Sequence, residues 1–129
     1  FVNSTEKVTV SATAATGTIN YDTNTQSVVY YTSAAVGDWT INFRASSGAT
    51  LNSVIATGES ITLVHLVTLT GAEYRNTVVQ VDGSSITPEW QGGAAPTEGN
   101  INSIDSYTYT IIKTGDAAFT ILAALTQFA

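Results

Sequence analysis

The single histidine of the chain, His65, is the one side chain that could act as the base of a Ser-His-Asp triad. It lies in a run of alternating residues, and its neighbours on the same face of a strand would be Leu63 and Val67. An imidazole between two aliphatic side chains is typical of a packed histidine rather than a catalytic one. The chain also has no cysteine, so the ligands of a thiolate zinc site are missing. We therefore expect no catalytic residue and no enzymatic activity.

Paired carboxylates could instead serve glycoside hydrolysis. Nearly all of the ten acidic residues lie in or beside predicted turns, where solubility and hydrogen bonding to the backbone explain them. The Asp-x-Asp-x-Asp spacing of a calcium loop is absent from the sequence. We therefore expect neither a metal site nor a cofactor.

Several aromatic residues could line a sugar-binding surface: Trp90, the pair Tyr30-Tyr31, and Tyr107 with Tyr109. Alternating aromatics on a strand more often contribute core and cross-strand contacts. Both interpretations stay open at this point. Trp90 with the adjacent Gln91 is the candidate ligand or contact surface.

Composition restricts the partners of the chain. Its 129 residues carry a net charge of -6, and the four basic residues are scattered along the sequence. Because phosphate-backbone binding needs a clustered basic surface, we expect no nucleic-acid partner. No run approaches the roughly 20 apolar residues of a membrane-spanning helix, so we expect no membrane span. Uncharged Ser, Thr, Asn and Gln supply most of the polar surface, as is common in extracellular β-proteins and fibres.

The elements that would position these residues are short strands. Period-two alternation of apolar and polar residues dominates the chain, as in Trp39-Thr40-Ile41-Asn42-Phe43-Arg44. The candidate strands are residues 8–13, 17–21, 26–32, 39–44, 61–70, 76–81, 107–113 and 118–126. We predict an all-β chain of about eight strands, forming an antiparallel β-sandwich of the jelly-roll or immunoglobulin-like type.

Two turns predict hairpins. Asp82-Gly83 suits a two-residue turn in which both central residues have positive φ, and it would join residues 79–81 to Ile86. Thr114-Gly115-Asp116 would pair the two strands that flank it, so the Ala-rich tail is predicted as a strand and not a helix. Residues 91–103, with three glycines and a proline, predict a surface loop.

Residues 86–115 and the closing Thr126-Gln127-Phe128-Ala129 resemble the C-terminal module of virion structural proteins in tailed phages, especially phages of aquatic bacteria. The most specific parts are Thr87-Pro88-x-Trp90-Gln91-Gly92-Gly93 and Ser103-Ile104-Asp105. Residues 6–21, 30–32 and 39–44 are similar to the same module, although Glu89 stands where a basic residue is expected. The resemblance implies a non-enzymatic structural role in a virion, often as the terminal domain of a fibre or tail protein.

The first strand carries a further hypothesis. Residues 1–16 would form an N-terminal strand and tether, and residues 17–129 the sandwich domain. Val8, Val10 and Ala12 alternate with polar residues and precede a small, flexible segment, so this assembly strand could complete a neighbour's sheet. The alternative is a strand that folds within its own subunit. The expected partner is therefore the chain itself, as a homo-oligomer or helical polymer.

Three functions follow: a phage tail or fibre module, a subunit of a secreted surface filament assembled by donor-strand exchange, and an adhesin tip that binds a host-surface glycan. The expected location is a virion or an extracellular filament.

Overall fold

The computed structural model describes residues 5–129. Within this range the chain forms ten strands and one short helix, α1 (Leu51–Val54). The strands are β1 (Thr9–Ala14), β2 (Gly17–Asp22), β3 (Val28–Ala34), β4 (Trp39–Arg44), β5 (Ser60–Leu69), β6 (Asn76–Val81), β7 (Ser84–Ser85), β8 (Glu89–Trp90), β9 (Ser103–Gly115) and β10 (Ala118–Phe128). The prediction of an all-β chain is confirmed.

The strands form where residues alternate between apolar and polar. In β9, buried and half-buried residues alternate from Ser103 to Lys113, so the odd-numbered side chains point to the core and the even-numbered ones outward. The long strands β5 and β10 follow the same numbering, with Leu63 and Ile121 inside. The Ala-rich tail is a strand, as predicted.

Both predicted hairpins are present. Asp82 and Gly83 have φ of 51° and 81°, and β6 pairs antiparallel with β7 across them. Ile86 N donates to Val79 O at 2.9 Å, which extends this hairpin to the predicted residue. β9 and β10 likewise pair antiparallel across the turn after Gly115.

The strands form two mixed sheets. The six-stranded sheet has the order β1-β3-β5-β9-β10-β8, and the four-stranded sheet has the order β2-β4-β6-β7. In the described part of the chain, five of the eight strand pairings are parallel: β1 with β3, β3 with β5, β2 with β4, β4 with β6, and β8 with β10. The arrangement therefore differs from the antiparallel one predicted from sequence.

The cause of the parallel pairing is the path of the chain from β1 to β6. Successive strands alternate between the two sheets, so each strand pairs with the one that follows two positions later. Residues that lie side by side are Thr9 and Val29 in one sheet and Gly17 and Trp39 in the other. The first six strands thus make three wound coils of two strands each.

The loop after β4 joins the second of these coils to the third and contains α1. Asp82 accepts hydrogen bonds from the backbone N–H groups of Leu51 and Asn52 at the start of α1, at 2.7 and 3.0 Å. Lys113 Nζ donates to the carbonyl oxygens of Asn52 and Ile55 at 2.7 and 3.0 Å. These contacts fix the loop on the body of the protein.

The core lies between the two sheets and is rich in aromatic rings. Phe43 of the four-stranded sheet packs on Tyr109 of the six-stranded sheet, with ring centroids 5.0 Å apart. Trp39 packs on Tyr107 in the same way, at 5.5 Å. These rings are almost completely removed from solvent. Edge-to-face aromatic contacts and apolar burial therefore hold the sheets together.

No helix within residues 5–129 is both long and apolar enough to cross a membrane.

Candidate interaction surfaces

His65 lies inside the protein and not in an accessible site. It is fully buried, with its ring edge-on to Tyr31 at 4.7 Å and to Trp39 at 6.1 Å between centroids. Neither ring nitrogen has a hydrogen-bond partner among the described residues. Burial lowers the pKa of His65 to about 3, so the ring is neutral at pH 7. The prediction of a packed histidine is confirmed.

Several carboxylates have structural roles. Asp105 is buried and accepts hydrogen bonds from Asn100 and Ser103, which fixes the end of the loop before β9. Asp22 pairs with Arg44 at 2.6 Å. Repulsion from the neighbouring Glu98 raises the pKa of Glu73. Within residues 5–129, no group of three or more His, Asp or Glu side chains could hold a metal ion.

Trp90 closes one edge of the core. It is half-buried, and its ring packs edge-on against Tyr107 and Tyr109 at 6.4 Å. A shallow cleft of about 380 Å³ lies beside it and includes Glu89, Gln91 and Leu122. Gln91 is exposed and begins a short 3₁₀ turn, Gln91–Gly93, that opens the predicted loop. Trp90 and Gln91 are therefore adjacent at an accessible cleft.

Two of the other proposed sugar-contacting aromatics, Tyr107 and Tyr109, have no exposed surface and are not available to a ligand. They belong to the core, as the alternative interpretation of alternating aromatics predicted. Tyr30 and Tyr31 are half-buried, and Tyr31 packs against His65. A glycan platform could therefore use only Trp90, Tyr30 and Tyr31 among the aromatic residues proposed.

The predicted assembly strand lies along its own subunit in this structure. β1 pairs in parallel with β3, and Val10 lies beside Tyr30. Val8 and Val10 are 40% and 65% exposed, and Ala12 is exposed as well. The within-subunit arrangement is therefore the one described, and donation of this strand to a neighbour stays a prediction. Residues 1–4 of the predicted strand and tether lie outside the described residues.

β1 is the edge of the six-stranded sheet and β2 is the edge of the four-stranded sheet. Both edges lie at the same end of the molecule, because the two strands follow each other in the first coil and meet at the buried Ala15. We call the outer edges of β1 and β2 the open end. β2 matches β4 residue for residue over its whole length, whereas β1 has a bulge around Ala12 and Thr13.

Apart from the bulge in β1, the open end lacks the features by which proteins protect sheet edges. Natural edge strands are usually short or carry Lys, Pro or inward charges. Residues 9–22 contain no Lys, Arg or Pro, and Asp22 at their end is the one charged residue. Each strand still offers six residues of backbone. The open end is therefore suited to pairing with a further strand.

The opposite edges end in much shorter strands. The four-stranded sheet ends in β7 and the six-stranded sheet in β8, and each of these strands has only two residues. Pro88 comes directly before β8, and Glu89 places a charge on it. β8 pairs with only Leu122 and Ala123 of β10, so the two ends differ in the length of their last strands.

The sequence predicted strands at both β1 and residues 17–21, but it pointed only to β1 as an edge available for assembly. The signal for β2 was available as the absence of Lys and Pro from residues 17–21, but its position at an edge depends on the parallel winding. That winding was not visible in local periodicity.

Comparisons of this chain with protein-family models, with curated proteins and with solved structures gave no match.

Proposed function

We propose that this chain is a non-enzymatic structural module that self-assembles in a virion appendage or extracellular fibre, as part of a tailed-phage tail or fibre protein. Its two sheets would be the layers of a β-sandwich with a parallel, wound first half. The resemblance of residues 86–115 to phage structural modules suggests the setting. The open end supports the self-assembly that we propose.

The open end is the observation that carries this proposal. Within residues 5–129, two strands of six residues at the same end of the molecule present backbone edges that no other strand pairs with, and neither strand has a lysine or proline to oppose pairing. A neighbour that adds a strand to each sheet would satisfy both rows of N–H and C=O groups together. An assembly protein gains from such an edge, whereas a monomer would be exposed to aggregation.

A secreted filament assembled by donor-strand exchange is the second candidate. The exposure of Val8, Val10 and Ala12 favours it, because their apolar side chains are not in the core of their own subunit. Release of β1 has a cost, however. Ala15 is buried, and its carbonyl oxygen accepts a hydrogen bond from Val36 N at 3.1 Å. The tether is therefore held in the fold. The adhesin alternative rests on the cleft at Trp90.

The test uses two substitutions that block the open end and leave the pairing inside the subunit intact. Thr13 lies in the β1 bulge without a register partner on β3, so Thr13→Pro should obstruct only the outer edge. Thr18 is exposed on β2, so Thr18→Lys adds the residue that natural edges use for protection. We expect each change to weaken self-association by about tenfold or more, measured by sedimentation velocity.

Electron microscopy of the same samples distinguishes the candidate functions. A closed, tapered oligomer of the wild-type chain would favour the phage fibre, and open filaments would favour the secreted filament. In the filament case, a chain without residues 1–16 should remain monomeric. A wild-type chain that stays monomeric at high concentration would overturn the proposed self-assembly. Glycan binding by that monomer, lost in Trp90→Ala, would support the adhesin.

A further inference from the structure

The outer face of the six-stranded sheet has an unusual composition. The even-numbered residues of β5, β9 and β10 point away from the core. Val10 of β1 and Val28 and Tyr30 of β3, which precede the bulges in those strands, lie in register with them. None of these outward residues is Asp, Glu, Lys, Arg or His. The Asp, Lys and His residues of β5 and β9 are His65, Asp105 and Lys113, and all three are odd-numbered and buried. We call the surface formed by these outward residues of the five strands the uncharged face.

Apolar residues form rows across the uncharged face. Val10 lies beside Tyr30, and Tyr30 lies beside Leu66 on the next strand. A second row joins Val28 to Val64. Threonines fill much of the rest, and Thr62 bonds Thr110 through their hydroxyl groups at 3.1 Å. The face is therefore weakly polar and without charge.

Apolar side chains are exposed at both sides of the uncharged face and half-buried between them. Val10 is 65% exposed at one side, and Leu122 and Phe128 are 48% and 59% exposed at the other. Five strands about 4.8 Å apart, with outward residues about 6.7 Å apart, give a face of roughly 500 Å². Two such faces would bury roughly 1,000 Å², the lower limit for a specific protein interface. Exposed apolar patches of this size are often functional.

The outer face of the four-stranded sheet provides the contrast. There Asp22 and Arg44 form an ion pair at 2.6 Å. Asn42 donates to Asn20 at 3.0 Å, and Gln80 lies beside Asn42 in the sheet register. Asn42 is itself buried, and this face is polar and carries charged groups, unlike the uncharged face. The two outer faces of one molecule thus differ in charge although both cover the same core.

We infer that the uncharged face binds the uncharged face of a second copy of this chain. The net charge of -6 opposes self-association, since most contacts between two copies would bring acidic groups together. The uncharged face avoids this repulsion, and Glu89 lies only at its far border, beside Leu122. Two such sheets would pack about 10 Å apart with their outward side chains between them.

This interface is separate from the open end, because it uses side chains of a sheet face and not backbone groups of a sheet edge. The inference rests on the proposed function only in taking the partner to be another copy. A face-to-face pair leaves both open ends free. The two contacts together would therefore build an assembly larger than a dimer.

The test compares two equivalent threonines. Thr108 is half-buried at the centre of the uncharged face on β9, and Thr40 is half-buried on the outer face of β4, the middle strand that pairs with both β2 and β6. A lysine at either position reduces the net charge by the same amount. If net charge alone limited association, both variants would associate more strongly. We expect Thr108→Lys to weaken association by tenfold or more and Thr40→Lys to leave it unchanged, by sedimentation velocity.

A second measurement serves if Thr108→Lys does not fold. Because the chain has no cysteine, Thr108→Cys and Thr40→Cys each accept one nitroxide spin label. With increasing protein concentration, we expect the label at position 108 to lose accessibility to a soluble relaxation agent, and the label at position 40 to keep it. Equal accessibility of both labels in the associated state would overturn the inference.

The outcomes separate this inference from the proposed function. Association that is sensitive to Thr13→Pro and Thr18→Lys but not to Thr108→Lys would overturn the inference and keep the proposed assembly at the open end. Sensitivity to Thr108→Lys alone would support the inference and count against the open end. A monomer that binds neutral phosphatidylcholine vesicles through this face would overturn the inference, since the occupant would then be lipid.

Discussion

At the scale of single residues, buried polar groups connect parts of the chain that are distant in sequence. Asn76 is buried and donates to the carbonyl oxygens of Trp39 and Val78, while its own side-chain oxygen accepts from Tyr109. Lys113 does the same for the loop that contains α1, whereas Asp105 fixes the adjacent loop before β9. His65 differs from these, because its ring is buried without a hydrogen-bond partner among the described residues. Its protonation therefore acts directly on stability.

The pH dependence of stability tests the burial of His65. Its pKa is lowered from 6.5 to about 3 by burial, so the unfolded chain binds a proton in the window between these values and the folded chain does not. Stability contributed by the neutral ring is complete above pH 6.5 and falls as the pH drops, by about 1.4 kcal/mol per pH unit. We expect urea unfolding from pH 7.5 to pH 5, above most carboxylate titration, to show this decrease.

His65→Phe is the matched variant for that measurement, because it keeps an aromatic ring against Tyr31 and Trp39 but cannot be protonated. We expect its stability to change much less between pH 6.5 and pH 5. If the free energy of unfolding changed with pH equally in the wild-type chain and in His65→Phe, His65 would be accessible to protons in the folded state.

At the scale of elements, local turn chemistry decided what the sequence could predict. Asp82-Gly83 and Gly115 located two hairpins, and period-two alternation located the longer strands. The parallel pairing of β1 to β6 was not predictable, because it depends on contacts between residues far apart, such as Val28 and Val64. The loop with α1 also lengthens the distance from β3 to β5, so the coils do not follow one another at a regular spacing in the sequence.

Only those candidate surfaces that depend on neighbouring residues could be predicted from the sequence. Val10 and Trp90 were recognised from their own side chains and neighbours. The uncharged face was not, although the even-numbered residues of β5, β9 and β10 are uncharged in the sequence. The pattern gains meaning only when the register places these strands side by side.

The hairpin at Asp82-Gly83 can be tested with a pair of glycines. Gly83 has φ of 81°, and Gly48 does not have a positive φ, while both have open space where a Cβ would be added. An L-residue is strained at the first position only, so we expect Gly83→Ala to lower the free energy of unfolding by about 1 kcal/mol. Gly48→Ala should be neutral or slightly stabilising. Equal effects of the two changes in urea unfolding would contradict the turn geometry.

At the scale of the whole molecule, the protein has two kinds of boundary. One end of the sheets terminates in two-residue strands with Pro88 and Glu89, and the other presents the six-residue edges of β1 and β2. One outer face carries an ion pair and an amide ladder, and the other carries no charge. These two asymmetries together describe a subunit with an edge contact and a face contact, as an assembling structural protein requires.

The most direct test of the central claim is hydrogen–deuterium exchange of the wild-type chain as a function of its concentration. The open end is proposed to pair with another copy, so we expect amides in Thr9–Ala14 and Gly17–Asp22 to exchange more slowly as the chain associates. Amides of β7 and β8, the last strands at the other ends of the two sheets, serve as the internal control, and their exchange rates should not change. Exchange at β1 and β2 that is independent of concentration, in samples that do associate, would contradict assembly through the open end.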